Sequence, residues 1–436
     1  MADVSRIAFY TGSILAAVGI VFGAGLYSGL SGNALARAAS GVYDDTRTLI
    51  TEIPNLTRER PIHFLAPAHY PGKGVTLNKV GNKAGGDDLL LLSGFLGDNQ
   101  KAQLMRRDGS VLARWDLLPL AQLPSAGQCR NVPQTDWNSA AHNVLIEPDG
   151  SVLFSYESCG MVKLDRCGKK LWATREITHH SPNRLADGRI VIGGSAYISA
   201  GAGWPFVVPY WEDVVRTYDA KGKQLSANKI TDLFVRNGLL SLLTSSSEDN
   251  PKVNGEFHLN EVEELPAALA SAFPMFAAGD LLLSIRNLNM ILVTDAKMER
   301  IKWHRVGPWI RQHDPDWGTD GRISVFDNHP DGTADGSRHG GSRIIAVDPA
   351  TGATQTLYGG RKDQHFFSNQ RGLHQMLGDG AMLITEANAG RAFQVDRGGR
   401  IVWEYVNRYD AKDAAWLNGV ESYPQSYFTV KDWSCK

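Results

Sequence analysis

The sequence predicts an all-β protein, a six-bladed β-propeller preceded by one N-terminal transmembrane helix. Three features predict it: an uncharged apolar segment near the N terminus, a series of short strand-like segments separated by Asp-Gly and Gly-Gly turns, and an internal repeat. The 436 residues are 43% hydrophobic and include 45 glycines, so the chain can bury a large core and is not a disordered polymer. The formal net charge of −1 excludes the global positive field that attracts nucleic acid, and we expect no nucleic-acid partner.

The apolar segment comprises residues 7–30 and contains no charged residue. It exceeds both the roughly 20 residues that a helix needs to cross a bilayer and the roughly 7–15 residues of a signal-peptide core, which favours an uncleaved anchor. A cleaved signal stays open, because ALA at 34–36 resembles a cleavage site. Arg6 directly before the segment favours a cytoplasmic N terminus. We therefore predict a single-pass inner-membrane protein with its propeller in the periplasm.

The chain divides into three predicted regions: a transmembrane anchor at 1–36, a neck at 37–65 and a propeller domain at 66–436. Apolar residues at near-helical spacing predict a short amphipathic helix in the neck at 40–53, which Pro54 should end. Within the propeller domain, two segments, 230–247 and 261–272, are predicted to be helical insertions.

Two short patterns recur along the propeller domain. The first is H-x₇-G, which begins at His142, His180 and His313 and ends each time in an Asp-Gly turn, and a shorter variant begins at His374. The second is an Asp, a Gly-containing turn and a strand that ends in an aromatic residue, as at Trp115, Trp172 and Trp403. Multistranded repeats of roughly 40–50 residues are typical of propellers. The predicted blades are 74–116, 140–175, 178–228, 256–304, 311–358 and 370–406, and residues 422–430 should return to close the ring on the first blade.

The recurring histidine stands just before the first strand of a blade, and the first strands of a propeller line its central channel. The repeat therefore predicts several imidazoles around one funnel, although a turn-capping or packing role stays open for each. Converging imidazoles suit metal binding, proton transfer or nucleophilic catalysis. Because no carboxylate or cysteine accompanies them at metal-ligand spacing, we predict no metal.

Several segments resemble the bacterial, PAPS-independent aryl sulfotransferase family. They are FHLNEVEELP (257–266), DLLLSIRNLNMILVTD (280–295), QHDPDWGTDGRISVFDN (312–328), SRIIAVDP (342–349) and GAMLITEANAGRAFQVDRGGRIVWEYVN (380–407). The resemblance implies a six-bladed propeller that works without a cofactor. It also implies a ping-pong reaction in which a channel histidine takes a sulfuryl group from an aryl sulfate and passes it to a phenol.

The resemblance implies a set of catalytic residues. His374 would carry the sulfuryl group, His258 and His313 would assist, and Arg338 would stabilise charge, with Arg343 as a rival that more plausibly has a structural role. The remaining predicted substrate-binding residues are His142, His180, Asn260, Arg286 and Arg343. Trp309 and Trp317 are candidates to stack on an aryl ring, with packing between blades as the alternative.

The four cysteines allow few pairs. Cys159 and Cys167 flank the segment MVKLD, which as a strand spans on the order of 17 Å, whereas a disulfide needs Cα atoms within about 7 Å. That pair is therefore not expected. A bridge between Cys129 and Cys435 that pins the tail stays open, as do free thiols.

Two other functions stay open beside the transferase. One is a non-catalytic propeller of the same family that acts as a membrane-tethered scaffold or accessory subunit with a protein partner. The other, ranked last, is a quinone-cofactor propeller, because the vicinal cysteines expected there are absent from the sequence.

Overall fold

The computed structural model describes residues 53–80, 86–137, 139–199, 206, 208–244 and 257–435. The chain forms two compact units, Met1–Pro61 and Ile62–Lys436. In the first unit, residues 53–56 are helical and the amide of Thr57 donates to the carbonyl of Ile53 at 2.9 Å, so Pro54 lies within a helical turn, while the predicted helix at 40–52 lies outside the described residues. No helix in the described part of the chain is long and apolar enough to cross a membrane, and the predicted anchor at 7–30 lies outside that part.

The second unit is built almost entirely of antiparallel strands. In chain order these are β1 Leu65–Pro67, β2 Gly74–Asn78, β3 Leu89–Leu96, β4 Asn99–Met105, β5 Val111–Asp116, β6 Leu145–Ile146, β7 Val152–Ser155, β8 Met161–Leu164, β9 Lys170–Ala173, β10 Asn183–Arg184, β11 Ile190–Ile198, β12 Tyr210–Tyr218, β13 Gln224–Lys229, β14 Leu259–Glu264, β15 Leu281–Ile285, β16 Met290–Thr294, β17 Ile301–Val306, β18 His313–Trp317, β19 Ile323–Asp327, β20 Arg343–Val347, β21 Thr354–Gly359, β22 Leu373–Met376, β23 Met382–Glu386, β24 Arg391–Val395, β25 Ile401–Val406, β26 Asp413–Ala415 and β27 Leu417–Tyr423. The α-helices are α1 Pro119–Gln122, α2 Ile230–Arg236 and α3 Leu240–Thr244. Short 3₁₀ turns occur at Ile62–Phe64, Ala126–Gln128, Ala270–Ala272, Arg286–Leu288, Lys362–Gln364 and Gln425–Tyr427.

These strands form six blades in the described residues, which confirms the predicted all-β, six-bladed propeller. From the inside outward, blade 1 is β27-β3-β4-β5, blade 2 is β6 to β9, blade 3 is β10 to β13, blade 4 is β14 to β17, blade 5 is β18 to β21, and blade 6 is β22 to β25 followed by β2. The hydrophobic core lies mainly between blades, because each pair of neighbouring blades buries its own apolar cluster.

The aromatic residue of the repeat links one blade to the next. The indole N–H of Trp115 on β5 donates to the carbonyl of Asp165 in a turn of blade 2 at 3.0 Å. Trp403 on β25 donates in the same way to the carbonyl of Arg107 in a turn of blade 1 at 2.9 Å. In these two places the aromatic residue of the repeat joins an outer strand to the turn of the neighbouring blade.

Ring closure uses both ends of the unit and corrects two predictions. The closing strand is β27 at Leu417–Tyr423, which pairs with β3, and not residues 422–430. Residues 74–78 form the outer edge of blade 6 through β25 instead of belonging to the first blade. Gly419 is required where the inner strands converge, because a Cβ there would lie 2.3 Å from the Asn143 side chain and 2.3 Å from that of Leu373.

Of the two predicted helical insertions, one is confirmed and the other is wrong. Helices α2 and α3 confirm the segment at 230–247, but 261–272 contains most of β14 and is not a helix. Its alternation of apolar and acidic residues follows the two-residue period of a strand whose acidic side chains face the channel.

Both disulfides in the structure bring together distant parts of the chain. Cys129 pairs with Cys159, and Cys167 pairs with Cys435, so Cys159 does not pair with Cys167, as expected, and the tail is pinned to blade 2 by Cys167 and not by Cys129. The tail also contacts blade 2 through the Tyr427 hydroxyl, which donates to the carbonyl of Ile146 at 2.7 Å.

We expect the Cys129→Ser, Cys159→Ser double variant to unfold at lower denaturant concentration. The bridge closes a loop of 30 residues, and chain-entropy arguments assign such a loop about 3–4 kcal/mol. Urea titration measures the loss. The Cys167→Ser, Cys435→Ser double variant is titrated in parallel for comparison. An unchanged urea midpoint for the Cys129→Ser, Cys159→Ser variant would contradict the prediction.

Candidate active site in the channel

The inner strand of each blade begins at the same end of the channel and places one polar residue there. Each blade contributes one of six residues. In the order of blades 2, 3, 4, 5, 6 and 1, they are His142, His180, His258, His313, Arg371 and Asn418. All except His258 line one narrow cavity of about 30 Å³. The H-x₇-G repeat therefore brings the predicted imidazoles together in space.

We call His142, His180, His258 and His313 the histidine cluster. The ring of His180 is its centre, with centroid distances of 4.4 Å to His142, 5.0 Å to His258 and 6.4 Å to His313. His180 and His258 have φ values of 64° and 62°, and Arg371 has 60°. Left-handed backbone is costly for such residues, and its concentration here is typical of functional sites.

Hydrogen bonding fixes the tautomer of His313. The Nδ2 group of Asn328 donates to the carbonyls of Ser368 at 2.8 Å and Arg371 at 2.6 Å, so its Oδ1 must be the atom that faces His313. That oxygen lies 2.6 Å from Nδ1 of His313 and can only accept. Nδ1 therefore carries the proton, and the lone pair is on Nε2.

His142 is bound to a carboxylate. Its Nε2 contacts Oε2 of Glu157, and Arg371 lies 3.9 Å from the same oxygen. Burial would raise the pKa of Glu157, but His142 and Arg371 hold it well below its usual range. Burial lowers the pKa of His142, so a neutral His142 donates to an ionised Glu157.

The histidine cluster is neutral at pH 7. Burial and then the charge of Arg286 lower the pKa of His258 to about 4. Burial also lowers the pKa of His180, together with its neighbouring histidines, and of His313, together with Arg286, well below the usual range. Uncharged imidazoles can attack an electrophile without first losing a proton.

Two arginines accompany the cluster. The guanidinium of Arg371 donates to the carbonyl of Ala141 at 3.1 Å and to Oδ1 of Asn418 at 2.9 Å. Nε of Arg286 is buried without a hydrogen-bond partner, as is Oδ1 of Asn260, a residue that lines the cavity. The channel mouth thus offers positive charge and polar groups that no protein group satisfies.

His374 lies below the cluster and not in it. Its side chain is fully buried, Nδ1 is 2.9 Å from Oδ2 of Asp314, and Nε2 is 2.7 Å from the Ser324 hydroxyl. Asp314 also accepts the backbone N–H of His374 at 2.6 Å. Both ring nitrogens of His374 are therefore engaged.

The structure separates Arg338 and Arg343 from the channel cavities. Arg338 is exposed in the loop between β19 and β20 and donates to the carbonyl of Asp331 at 3.1 Å. Arg343 opens β20 and binds Asp327 through Nε at 3.0 Å and a terminal nitrogen at 2.6 Å, which agrees with a structural role. Trp309 and Trp317 are buried in the cluster between blades 4 and 5.

A larger cavity of about 200 Å³ continues the channel below the histidines. We call it the acidic cavity, because five carboxyl groups line it together with His374: those of Glu261, Glu263, Asp314, Asp316 and Glu421. Burial and nearby Asp314 raise the pKa of Glu263 to about 8, and burial raises that of Asp316 well above its usual range.

Sequence reasoning missed four residues of the site: Arg371, Asn418, Glu157 and Asn328. Only Arg371 had a signal, because counting the H-x₇-G register back from Gly380 reaches Gly372, its immediate neighbour. Glu157 and Asn328 stand in loops between the second and third strands of their blades, where the repeat has no fixed residue.

We expect the contribution of His258 to the stability of the protein to fall as the pH decreases from 7.5 to 5.5. A histidine whose pKa is lower in the folded chain binds fewer protons than in the unfolded chain between the two values, here about 4 and 6.5. This contribution is therefore full above pH 6.5 and decreases on acidification, by about 1 kcal/mol at pH 5.5. Urea titration of the original chain and of His258→Asn at both pH values measures it as the difference between the two proteins, which cancels the opposite effect of buried acids whose pKa is raised. The same difference at both pH values would contradict the prediction.

The fold and the site define a class of protein: a β-propeller whose channel holds neutral histidines beside arginines. Residues 223–408 match the family model described as Arylsulfotransferase (ASST), which confirms the predicted resemblance to the aryl sulfotransferase family. That match covers blades 4 to 6 and, at its beginning, the outer strand of blade 3.

Similar solved structures include a protein of unknown function from Bacteroides caccae, with a TM-score of 0.48 and 12% identity over 77% of this chain and 99% of that chain. Virginiamycin B lyase from Staphylococcus aureus has a TM-score of 0.37 and 12% identity over 67% of this chain and 86% of that chain. No curated protein sequence matches the chain.

Proposed function

We propose that the protein is a membrane-anchored periplasmic aryl sulfotransferase that moves a sulfuryl group from an aryl sulfate to a phenol through a sulfuryl-histidine. The observation that carries the proposal is the fixed tautomer of His313, whose Nε2 lone pair belongs to a neutral imidazole in the histidine cluster. The family match over 223–408 includes this residue.

His313 is a better nucleophile than His374 in this geometry. Nε2 of His313 has no hydrogen bond in the structure, whereas Nε2 of His374 already contacts Ser324 and Nδ1 contacts Asp314. A nucleophile needs a free lone pair and an orienting partner on its other nitrogen. Asn328 is that partner for His313.

The first half-reaction forms the bond between Nε2 of His313 and sulfur while the aryl oxygen–sulfur bond breaks. The electron pair of the broken bond leaves on the phenolate oxygen. In the second half-reaction the acceptor phenol attacks the same sulfur, its proton goes to a neutral imidazole, and the nitrogen–sulfur bond breaks. His258 can act as that base, because its ring lies next to His180 and is uncharged at pH 7, since burial and Arg286 lower its pKa.

Charge on the transferring group needs positive donors. Arg371 lines the cavity with His313, and Nε of Arg286 has no hydrogen-bond partner. Both arginines can therefore bind the sulfuryl oxygens that carry the negative charge in the transition state. Asn260 adds a polar group in the same wall. Glu157 holds Arg371 and His142 in place and keeps the local charge balanced.

An aromatic surface adjoins this site. Trp416 and Phe64 line a cavity of about 190 Å³ that also contains Glu157, the partner of His142. The guanidinium of Arg371 lies 5.9 Å from the Trp416 ring centroid. These rings, and not Trp309 or Trp317, are placed to receive the aryl group of a substrate.

The anchor and the compartment complete the proposal. The uncharged segment 7–30 supports a single membrane helix, and two disulfides suit an oxidising compartment such as the periplasm. The small-molecule partners would be an aryl sulfate and a phenol.

The test uses the full chain in detergent, 4-nitrophenyl sulfate as donor and phenol as acceptor. We expect a burst of one 4-nitrophenolate per chain without acceptor and continuous release with it, since the sulfuryl-histidine must be discharged. A folded protein with neither burst nor turnover across several donors would favour the scaffold alternative.

A further inference from the structure

The acidic cavity lies in the same channel as the histidine cluster but is chemically its opposite. Glu261 and Glu263 project from β14, Asp314 and Asp316 from β18, and Glu421 from β27. No lysine or arginine is among the residues that the structure describes in its lining. Placing five carboxyl groups around one buried space is unfavourable unless protons or a cation compensate for the charge.

His374 is oriented toward this cavity in a specific way. A carboxylate oxygen accepts, so Oδ2 of Asp314 takes both the backbone N–H and the Nδ1–H of His374, and Nδ1 carries the ring proton. The Nε2 lone pair accepts from the Ser324 hydroxyl at 2.7 Å and lies 3.6 Å from Oδ2 of Asp316. A carboxylate that orients the imidazole through Nδ1 is the arrangement of a metal-binding histidine, and an ion would replace the rotatable Ser324 hydroxyl as the partner of Nε2.

A second observation points to the same space. Oε2 of Glu263 is buried and has no hydrogen-bond partner, and the residue lines the cavity. Asp314, Asp316 and His374 each have a ligand atom within 4.8 Å of the others. Glu263 lines the same cavity as these three residues, and its unsatisfied Oε2 is an atom that a bound ion would contact.

We infer that the acidic cavity binds one divalent cation through Nε2 of His374 and the carboxylates of Asp316 and Glu263, with Asp314 holding His374 in position. Oxygen-rich ligand sets favour Mg²⁺, Ca²⁺ and Mn²⁺, whereas imidazole favours later transition metals. A set with one imidazole and several carboxylates therefore fits Mn²⁺ best. The inference is independent of sulfuryl transfer, because it concerns residues below the histidine cluster.

The binding experiment uses the full chain in detergent, stripped with EDTA, and MnCl₂ as the only probe. Calorimetric titration and the Mn²⁺ electron paramagnetic resonance signal should both show one ion per chain. Asp316→Asn and Glu263→Gln should each weaken binding by at least about 10-fold, and Asp314→Asn should weaken it by about 10- to 100-fold through the orientation of His374.

Asp320→Asn is the matched control, because Asp320 lies in the turn of the same blade and binds only the neighbouring Arg322 side chain and backbone and none of the cavity residues. It should bind Mn²⁺ as the original chain does. Asp316→Asn removes one of five crowded acids, so the metal-free variant should melt no lower than the original chain, which separates lost binding from unfolding. Absence of Mn²⁺ binding, or unchanged affinity in Asp316→Asn, would overturn the inference.

Discussion

Replacing His313 with Asn should abolish sulfuryl transfer, with a loss on the order of 10⁴-fold or more, as expected when a covalent nucleophile is removed. The reason is that Asn has no lone pair that can form the covalent intermediate. Mass spectrometry after incubation with 4-nitrophenyl sulfate should find one sulfuryl adduct on the peptide that contains His313, and none in the His313→Asn variant.

Two variants make this result specific. His304 is exposed on β17, and His304→Asn should keep full activity. Asn328→Asp should keep an acceptor on Nδ1 of His313 but add a negative charge that raises the pKa of that imidazole, and we expect a pH profile shifted to higher pH. An adduct on the His374 peptide would restore the role that the family resemblance implies and would refute the assignment to His313.

Deleting residues 417–436 should prevent the formation of a stable propeller. The deletion removes β27, the inner strand of blade 1, which pairs with β3 and buries Leu417 and Val420 between blades 6 and 1. It leaves the inner edge of β3 unpaired and opens the ring. A folded protein has a free energy of unfolding of only about 5–15 kcal/mol. We expect the loss of these contacts to exceed it, so the truncated chain should show no cooperative thermal unfolding.

Deleting only residues 424–436 is the control. This variant keeps β27 and loses the tail on blade 2, including the Cys167–Cys435 bridge, so it should fold and melt at a lower temperature. Calorimetry and circular dichroism distinguish the two truncations. Equal melting of both variants would show that β27 does not close the ring.

The blade count was predictable because each blade repeats the same local chemistry. An Asp-Gly turn, an apolar strand and a terminal aromatic recur along the chain, and each is determined by short-range preferences. The gathering of His142, His180 and His313 followed from the same repeat, and His258 was indicated by the family resemblance. Strand register then placed their side chains at the same end of the channel.

Other features depend on residues far apart in sequence. Which cysteines pair, where the closing strand lies and which blade holds β2 are decided by the geometry of the closed ring. The sequence pattern alone shows only that such partners exist. The contact between Asn328 and His313 could not be predicted either, because Asn328 lies in a loop of its blade in which the repeat has no fixed residue.

His374 shows most clearly what the sequence pattern could not predict. The sequence by itself determined that the protein is a propeller with imidazoles around its channel and with motifs of the aryl sulfotransferase family. Only the tertiary structure decided that Nε2 of His313 has no hydrogen bond among the described residues and that His374 lines a cavity with carboxylates from three other blades. The physical reason is that His374 stands two residues later than the repeat requires, which moves it down the channel into the acidic cavity, where contacts from β18 and β19 engage both of its nitrogens.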